Sequence, residues 1–143
     1  MRIGDLLEQK GSAVVTIDGG ATVAEVIAVL ARHRIGALVV SADGRHIDGI
    51  VSERDIVRHL ERERKDLLDR PVRTIMSTPV HTADPAEEVA TVMATMTNTR
   101  IRHLPVTKDG TLVGIVSIGD VVKHTIEQLE RDRKLLEDYI TAR

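Results

Sequence analysis

The chain has 143 residues, 42% of them hydrophobic and 29% charged, with a net charge of −2 spread without blocks; this is a soluble balance, long enough for one compact domain or two small halves sharing a core. It has no cysteine, which excludes disulfides, thiolate metal sites and cysteine nucleophiles, while the absence of a basic excess and the single aromatic residue, Tyr139, argue against nucleic acid as a partner. The longest apolar run, Val26–Ala31, falls far short of the ~20 residues of a membrane span, and no apolar stretch of secretory type follows Arg2, so no membrane partner and a cytoplasmic location are expected.

Taken along the chain, Ile3–Leu7 is a short amphipathic segment, and Val14–Ile17 has the composition of a strand. Thr22 with Glu25 forms a capping-box pattern ahead of a helix over Thr22–His33, in which Val23, Val26, Ile27 and Leu30 recur at helical spacing. Two strands, Ala37–Ser41 and Ile47–Ser52, flank Asp43-Gly44, a hairpin signal, and Ser52 is placed to cap the next helix. Glu61–Pro71 is charge-rich and reads as a linker with a solvated face. Val72–Met76 then stands where Ile3–Leu7 stood, and the pattern starts again: strand Val80–Thr82, Asp84 with Glu87 before a helix over Pro85–Thr97, strands His103–Thr107 and Leu112–Ser117 around Asp109-Gly110, and Ser117 as a cap. The last helix carries Val122, Ile126, Leu129, Leu136 and Ile140 at helical spacing, interrupted by Arg133. That stripe exceeds the needs of one repeat and is expected to cover the N-terminal segment, a second copy, or both.

The recurrence is a sequence repeat. A shift of 66 superposes Val23, Ala24, Val26 and Ala28 on Val89, Ala90, Val92 and Ala94, and Arg34-Ile35 on Arg100-Ile101; a shift of 65 after the turn superposes Gly49-Ile50-Val51-Ser52 on Gly114-Ile115-Val116-Ser117, and Asp55 on Asp120. Nearly half of the aligned positions are identical, and the single slip falls in a turn, where insertions are tolerated.

A β-α-β-β-α repeat ending in Gly-hydrophobic-hydrophobic-Ser-x-x-Asp, here Gly49–Asp55 and Gly114–Asp120, with Arg102-His103-Leu104-Pro105-Val106 in the second copy, resembles the CBS domain. The resemblance runs from about Ile3 to Thr125 and implies an α/β (α+β) fold in which two CBS repeats pack through their sheets as a pseudo-twofold pair with two clefts between them. The expected boundaries are residues 1–62 for the first repeat, 63–71 for the linker, 72–126 for the second repeat and 127–143 for a helical extension. It further implies a regulatory module of energy or redox sensing, binding an adenosine nucleotide (AMP or NAD first, then ADP or ATP, with S-adenosylmethionine behind them), working as a homodimer and signalling to a partner protein. A CBS pair that has lost its ligand and serves as a dimerisation scaffold is the alternative.

By that resemblance the nucleotide set is Thr16, Ile35, Gly36, Ala37, Ser52, Arg54, Asp55, Thr82, Arg100, Arg102, His103, Pro105, Ser117, Ile118 and Asp120. Asp55 and Asp120 lie one turn into a helix, where a carboxylate can accept both hydroxyls of a ribose or simply sit favourably near a helix N-terminus. Ser52 and Ser117 serve as caps and, with the free N–H groups of a helix start, suit a phosphate. Arg102 offers a forked anion contact that Gly36 of the first repeat cannot; because neighbours on a strand face opposite ways, Arg102 and not His103 is expected to point inward. Arg54, whose counterpart in the second repeat is Gly119, is a further phosphate contact or lies on the exposed side of its helix, and Lys10 is a weaker phosphate candidate beside its reading as a surface lysine. The six histidines form no His-x-His or His-Glu-x-x-His spacing, and neither a phosphate-loop motif nor a nucleophile elbow occurs, so no metal site and no catalytic residues are expected.

Overall fold

The computed structural model describes residues 1–142. In order along the chain, its elements are α1 (Ile3–Lys10), β1 (Thr16–Ile17), α2 (Val23–His33), β2 (Ala37–Val40), β3 (Gly49–Ser52), α3 (Glu53–Glu63), two 3₁₀ segments (Arg64–Asp69 and Val72–Thr74), α4 (Val89–Thr99), β4 (His103–Lys108), β5 (Thr111–Ser117) and α5 (Ile118–Thr141). The first sheet has the order β1-β2-β3, with β1 parallel to β2 and β2 antiparallel to β3; the second is the antiparallel pair β4-β5. α2 begins as its sequence predicts: Thr22 Oγ1 accepts from Glu25 N at 3.2 Å while the Glu25 carboxylate accepts from Thr22 N at 2.9 Å.

Three expectations are corrected. The strand over Val80–Thr82 does not form. The chain there serves two neighbours in turn: Ser77 exchanges backbone hydrogen bonds with Ile50 of β3 at 2.8 and 3.1 Å, and Ala83 makes a single parallel bridge to Val106. α4 starts at Val89, not at Pro85, because Pro85–Glu88 is used as a docking edge for the N-terminus. Gly4 N donates to Pro85 O and Ile3 N to Glu87 O, both at 2.9 Å, and Val89 N donates to Met1 O at 3.0 Å. Asp84 and Glu87 still pair, Asp84 N donating to Glu87 Oε2 at 2.6 Å, but in a turn ahead of the helix. The Ser41–Asp48 connection is wider than a two-residue hairpin. The Asp43 carboxylate gathers the His46 ring and the His46 and Arg45 N–H groups, and these hydrogen bonds, the ring's foremost, hold it well below the usual carboxylate range. By contrast, Asp109 and Gly110 both adopt positive φ and close the β4-β5 hairpin tightly.

The hydrophobic cores are exchanged between the two halves of the sequence. Ile3, Leu6 and Leu7 of α1 are buried with Val89, Val92, Met96, Leu104, Val106, Val116 and Val121, all of the second repeat. The first repeat's core (Val23, Val26, Leu38, Val40, Val51, Ile56) is completed from downstream by Leu67, Val72 and Ile75. The charged linker therefore has a core-facing side, with Leu67 fully buried. The two exchanges match residue by residue: Arg2 bridges Glu88 as Pro71 bridges Thr22. A Cβ on Gly114 would lie 2.7 Å from the Leu7 methyls, just as one on Gly49 would overlap the Met76 sulfur. α5 spans 24 residues, about 36 Å. Only its start shares α1's core; Ile126, Leu129, Leu136 and Ile140 are exposed, so within one chain the N-terminal segment does not cover the stripe.

Candidate functional site

Each hairpin ends in Gly-Ile-Val-Ser, and the serine closes the strand and caps the helix that follows. Ser52 pairs with Ala37 and Ser117 with His103 across the two sheets. Glu53 N donates to Gly36 O at 3.0 Å, and Ile118 N donates to Arg102 O at 2.8 Å, so each helix is tied to the residue before the opposing strand. Both helices start with reciprocal caps. Asp55 N donates to Ser52 Oγ at 3.3 Å while Asp55 Oδ2 accepts from Ser52 N and Ser52 Oγ at 2.9 and 3.0 Å. Asp120 N donates to Ser117 Oγ at 3.1 Å, and Asp120 Oδ2 accepts from Ser117 N at 2.9 Å.

The starts of α3 and α5 open on one cavity of about 920 Å³ at the junction of the repeats. Ten residues of the expected set line it: Gly36, Ala37, Ser52, Arg54, Asp55, Arg100, Arg102, His103, Ser117 and Ile118. The other five stand apart. Thr16 pairs with Val39 in the first sheet, Ile35 packs on the first core, Pro105 is buried in β4, and Thr82 lines a separate cavity of about 400 Å³ with His46, Asp48 and Thr107. Asp120 is engaged by Lys10, as described below, and does not line the main cavity.

Sequence reasoning missed part of the lining: Glu53, Arg58, Ser77, Pro79 and Val80. Arg58 follows Arg54 by one helical turn, so i,i+4 spacing could have placed it on the same face. Four guanidinium side chains (Arg54, Arg58, Arg100, Arg102) against two carboxylates (Glu53, Asp55) make the walls cationic, and two helix N-termini add partial positive charge. Arg34 and Arg100 each end a helix in the left-handed conformation, with φ of 53° and 57°, so their duplication serves chain reversal, with the Arg100 side chain also at the cavity.

His103, not only Arg102, faces the cleft. Its ring lies 3.2 Å from where a Cβ on Gly36 would be, so the missing side chain of the first repeat makes room for the imidazole of the second. Burial pushes the His103 pKa down from its ordinary 6.5; Glu53 opposes, Arg102 assists, and the weaker effects of Asp120 and Lys10 oppose each other in turn. The folded chain thus resists a proton that the unfolded chain accepts at 6.5, so this contribution to stability is intact above pH 6.5 and fades as pH falls toward the lower folded value. Thermal melts from pH 7.5 to 5.5 should show a smaller loss for His103→Gln than for the parent chain; parallel curves would refute the assignment.

The two aspartates differ. The Oδ1 of each makes no hydrogen bond among the described residues, but Asp55 forms no ion pair there while Asp120 does. Lys10 Nζ donates to Asp120 Oδ2 at 2.7 Å and to Ile115 O at 2.8 Å. Burial alone would push the Asp120 carboxyl up; the Lys10 ammonium and the Ser117 hydrogen bonds outweigh it and hold the pKa below the usual range. Among the described residues no group of three or more His, Cys, Asp or Glu is placed to hold a metal ion, and no helix is long and apolar enough to cross a membrane.

A family model described as CBS domain matches residues 4–62 and 72–127. An Arabidopsis thaliana protein named CBS domain-containing protein CBSX3, mitochondrial, is 33% identical over an alignment of 148 positions that covers 96% of this chain and 71% of the relative. Of solved structures, the CBS-domain containing protein ATU1752 of Agrobacterium tumefaciens superposes with a TM-score of 0.84 at 38% identity, over 87% of this chain and 99% of that one. The CBS domain protein PAE2072 of Pyrobaculum aerophilum, complexed with AMP, superposes with a TM-score of 0.74 at 33% identity, over 84% and 89% of the two chains.

Proposed function

This chain belongs to the CBS-domain family, and from that premise we propose that it is a regulatory module that binds an adenosine nucleotide between its repeats and acts by binding, not by catalysis. The observation that carries the reading is the single cationic cavity into which both capped helix starts open, with the Asp55 carboxylate on its wall. Phosphate suits the helix N-termini and the arginines, a ribose diol suits Asp55 Oδ1, and the aliphatic surroundings suit a purine face. The similar archaeal protein with AMP bound supports AMP as the first ligand to try; NAD follows, because a cavity of about 920 Å³ lined from both repeats has volume for a dinucleotide. A ligand that favours one arrangement of the repeats would shift the module toward it, which is the behaviour of an energy or redox sensor acting on a partner protein. Calorimetric titration with AMP, NAD, ADP, ATP and S-adenosylmethionine tests this, with AMP or NAD expected to bind tightest. Absence of binding to every one of them at millimolar concentration would refute it.

The scaffold reading has its own support. Val57 and Leu60 on α3, and Val122 and Ile126 on α5, are exposed at comparable places on the two repeats, an apolar face suited to a second copy of the chain. A homodimer is therefore proposed alongside nucleotide binding. A dimer by light scattering with no nucleotide-induced melting shift would favour the scaffold alone.

A further inference from the structure

The two sugar positions are not equivalent, and the difference lies in a residue outside both signature motifs. The exchanged segments align Ile3–Leu7 with Val72–Met76: Leu7 packs on Gly114 where Met76 packs on Gly49. Three residues further on, Lys10 stands in the second half where Pro79 stands in the first. Pro79 lines the main cavity and has no ammonium to offer Asp55. Lys10 ends a helix whose Ile3, Leu6 and Leu7 are locked in the second core, so its stem starts from a fixed place. Its ammonium bridges the Ile115 carbonyl and the Asp120 carboxylate, and the cavity reaches Ser117, Ile118 and Gly119 but stops short of Asp120.

We propose that Lys10 is a built-in competitor for the second sugar position, holding Asp120 until a ligand displaces it, so that the Asp55 side fills first and the Asp120 side is the weaker one. The proposal rests on the nucleotide reading above and adds to it an order of filling set by one side chain. Each carboxylate keeps its Oδ1 unused among the described residues, but a ribose hydroxyl reaching Asp120 meets a carboxylate already paired with an ammonium, whereas one reaching Asp55 meets a carboxylate in no ion pair. The competing pair is partly exposed, with side-chain exposures of 31% for Lys10 and 27% for Asp120, so the handicap is modest, about 1.5- to 5-fold in affinity.

The test is calorimetry with AMP in an Asp55→Ala background, which isolates the Asp120 side. Asp55→Ala/Lys10→Met is expected to bind AMP about 1.5- to 5-fold more tightly than Asp55→Ala, while Asp55→Ala/Lys10→Arg, which keeps a cation, gains nothing. Methionine preserves the helix and the aliphatic stem, and circular dichroism melts confirm that each variant folds. If Lys10→Met leaves the affinity unchanged or weakens it while the parent chain binds AMP, the competitor role is overturned and the nucleotide reading stands. If parent and variants alike bind no AMP, both fall. A carboxyl NMR titration gives a readout without ligand: the Asp120 pKa must rise in Lys10→Met, and an unmoved value overturns the proposal.

Discussion

Replacing Asp55 by alanine is expected to weaken AMP binding by about 10- to 100-fold, the loss that follows when a charged acceptor of ligand hydrogen bonds, worth about 1.5–3 kcal/mol, is removed. The Asp55 carboxylate is divided between two tasks. Oδ2 is committed to Ser52 N and Ser52 Oγ and closes the capping box, while Oδ1 is left for the cavity. Alanine removes both, so a loss of stability of about 1 kcal/mol accompanies the loss of affinity. Asp55→Asn separates them: an amide oxygen can still accept from Ser52 N, but the negative charge facing the sugar hydroxyls is gone. Affinity should therefore fall in both variants and the melting temperature mainly in the alanine one. An AMP dissociation constant within twofold of the parent in Asp55→Ala would remove Asp55 from the ligand's contacts.

The second large effect is expected far from the cavity. Ile3→Ala should lower the unfolding free energy by about 2–5 kcal/mol, as large-to-small replacements in packed cores do. Ile3 is fully buried although it stands third from the start of the chain, a place where most chains are loosely held. It shares a core with Val89, Val92, Leu104 and Val121, so the cavity would open inside the second repeat. Set against a total stability of about 5–15 kcal/mol for a typical domain, that loss is large. Urea unfolding followed by circular dichroism measures it, and a change below 1 kcal/mol would show that α1 contributes little to the second core.

The repeat, the capped helices and the serine-aspartate signatures were legible in the sequence because each is written in neighbouring residues: Thr22 with Glu25, Ser52 with Asp55, Ser117 with Asp120. The partnership of distant segments was not. Nothing local in Ile3–Leu7 says that it will pack against Gly114 instead of Gly49, and nothing in Arg64–Asp69 says that Leu67 will be buried beneath a charged stretch. The strand expected over Val80–Thr82 failed for the same reason, since the residues on either side of it, Ser77 and Ala83, are claimed by Ile50 and Val106 from two different sheets. At the cavity, strand alternation favoured one inward residue of Arg102 and His103. Both arrive because Arg102 precedes the strand and because Gly36, across the junction, has no side chain to block the imidazole. Lys10 was legible as a surface lysine or a further phosphate contact, not as a partner of Asp120, which lies far along the chain.

The exchange of segments also dictates an order of events during synthesis. α1 is made before every residue it packs against, so Ile3, Leu6 and Leu7 have nowhere to go until residues 83–121 exist. The first repeat waits less, since it needs only Leu67, Val72 and Ile75 to close. On a ribosome the first half can therefore mature while its own leading helix trails unattached, and that helix docks last, as a clasp on the finished second half.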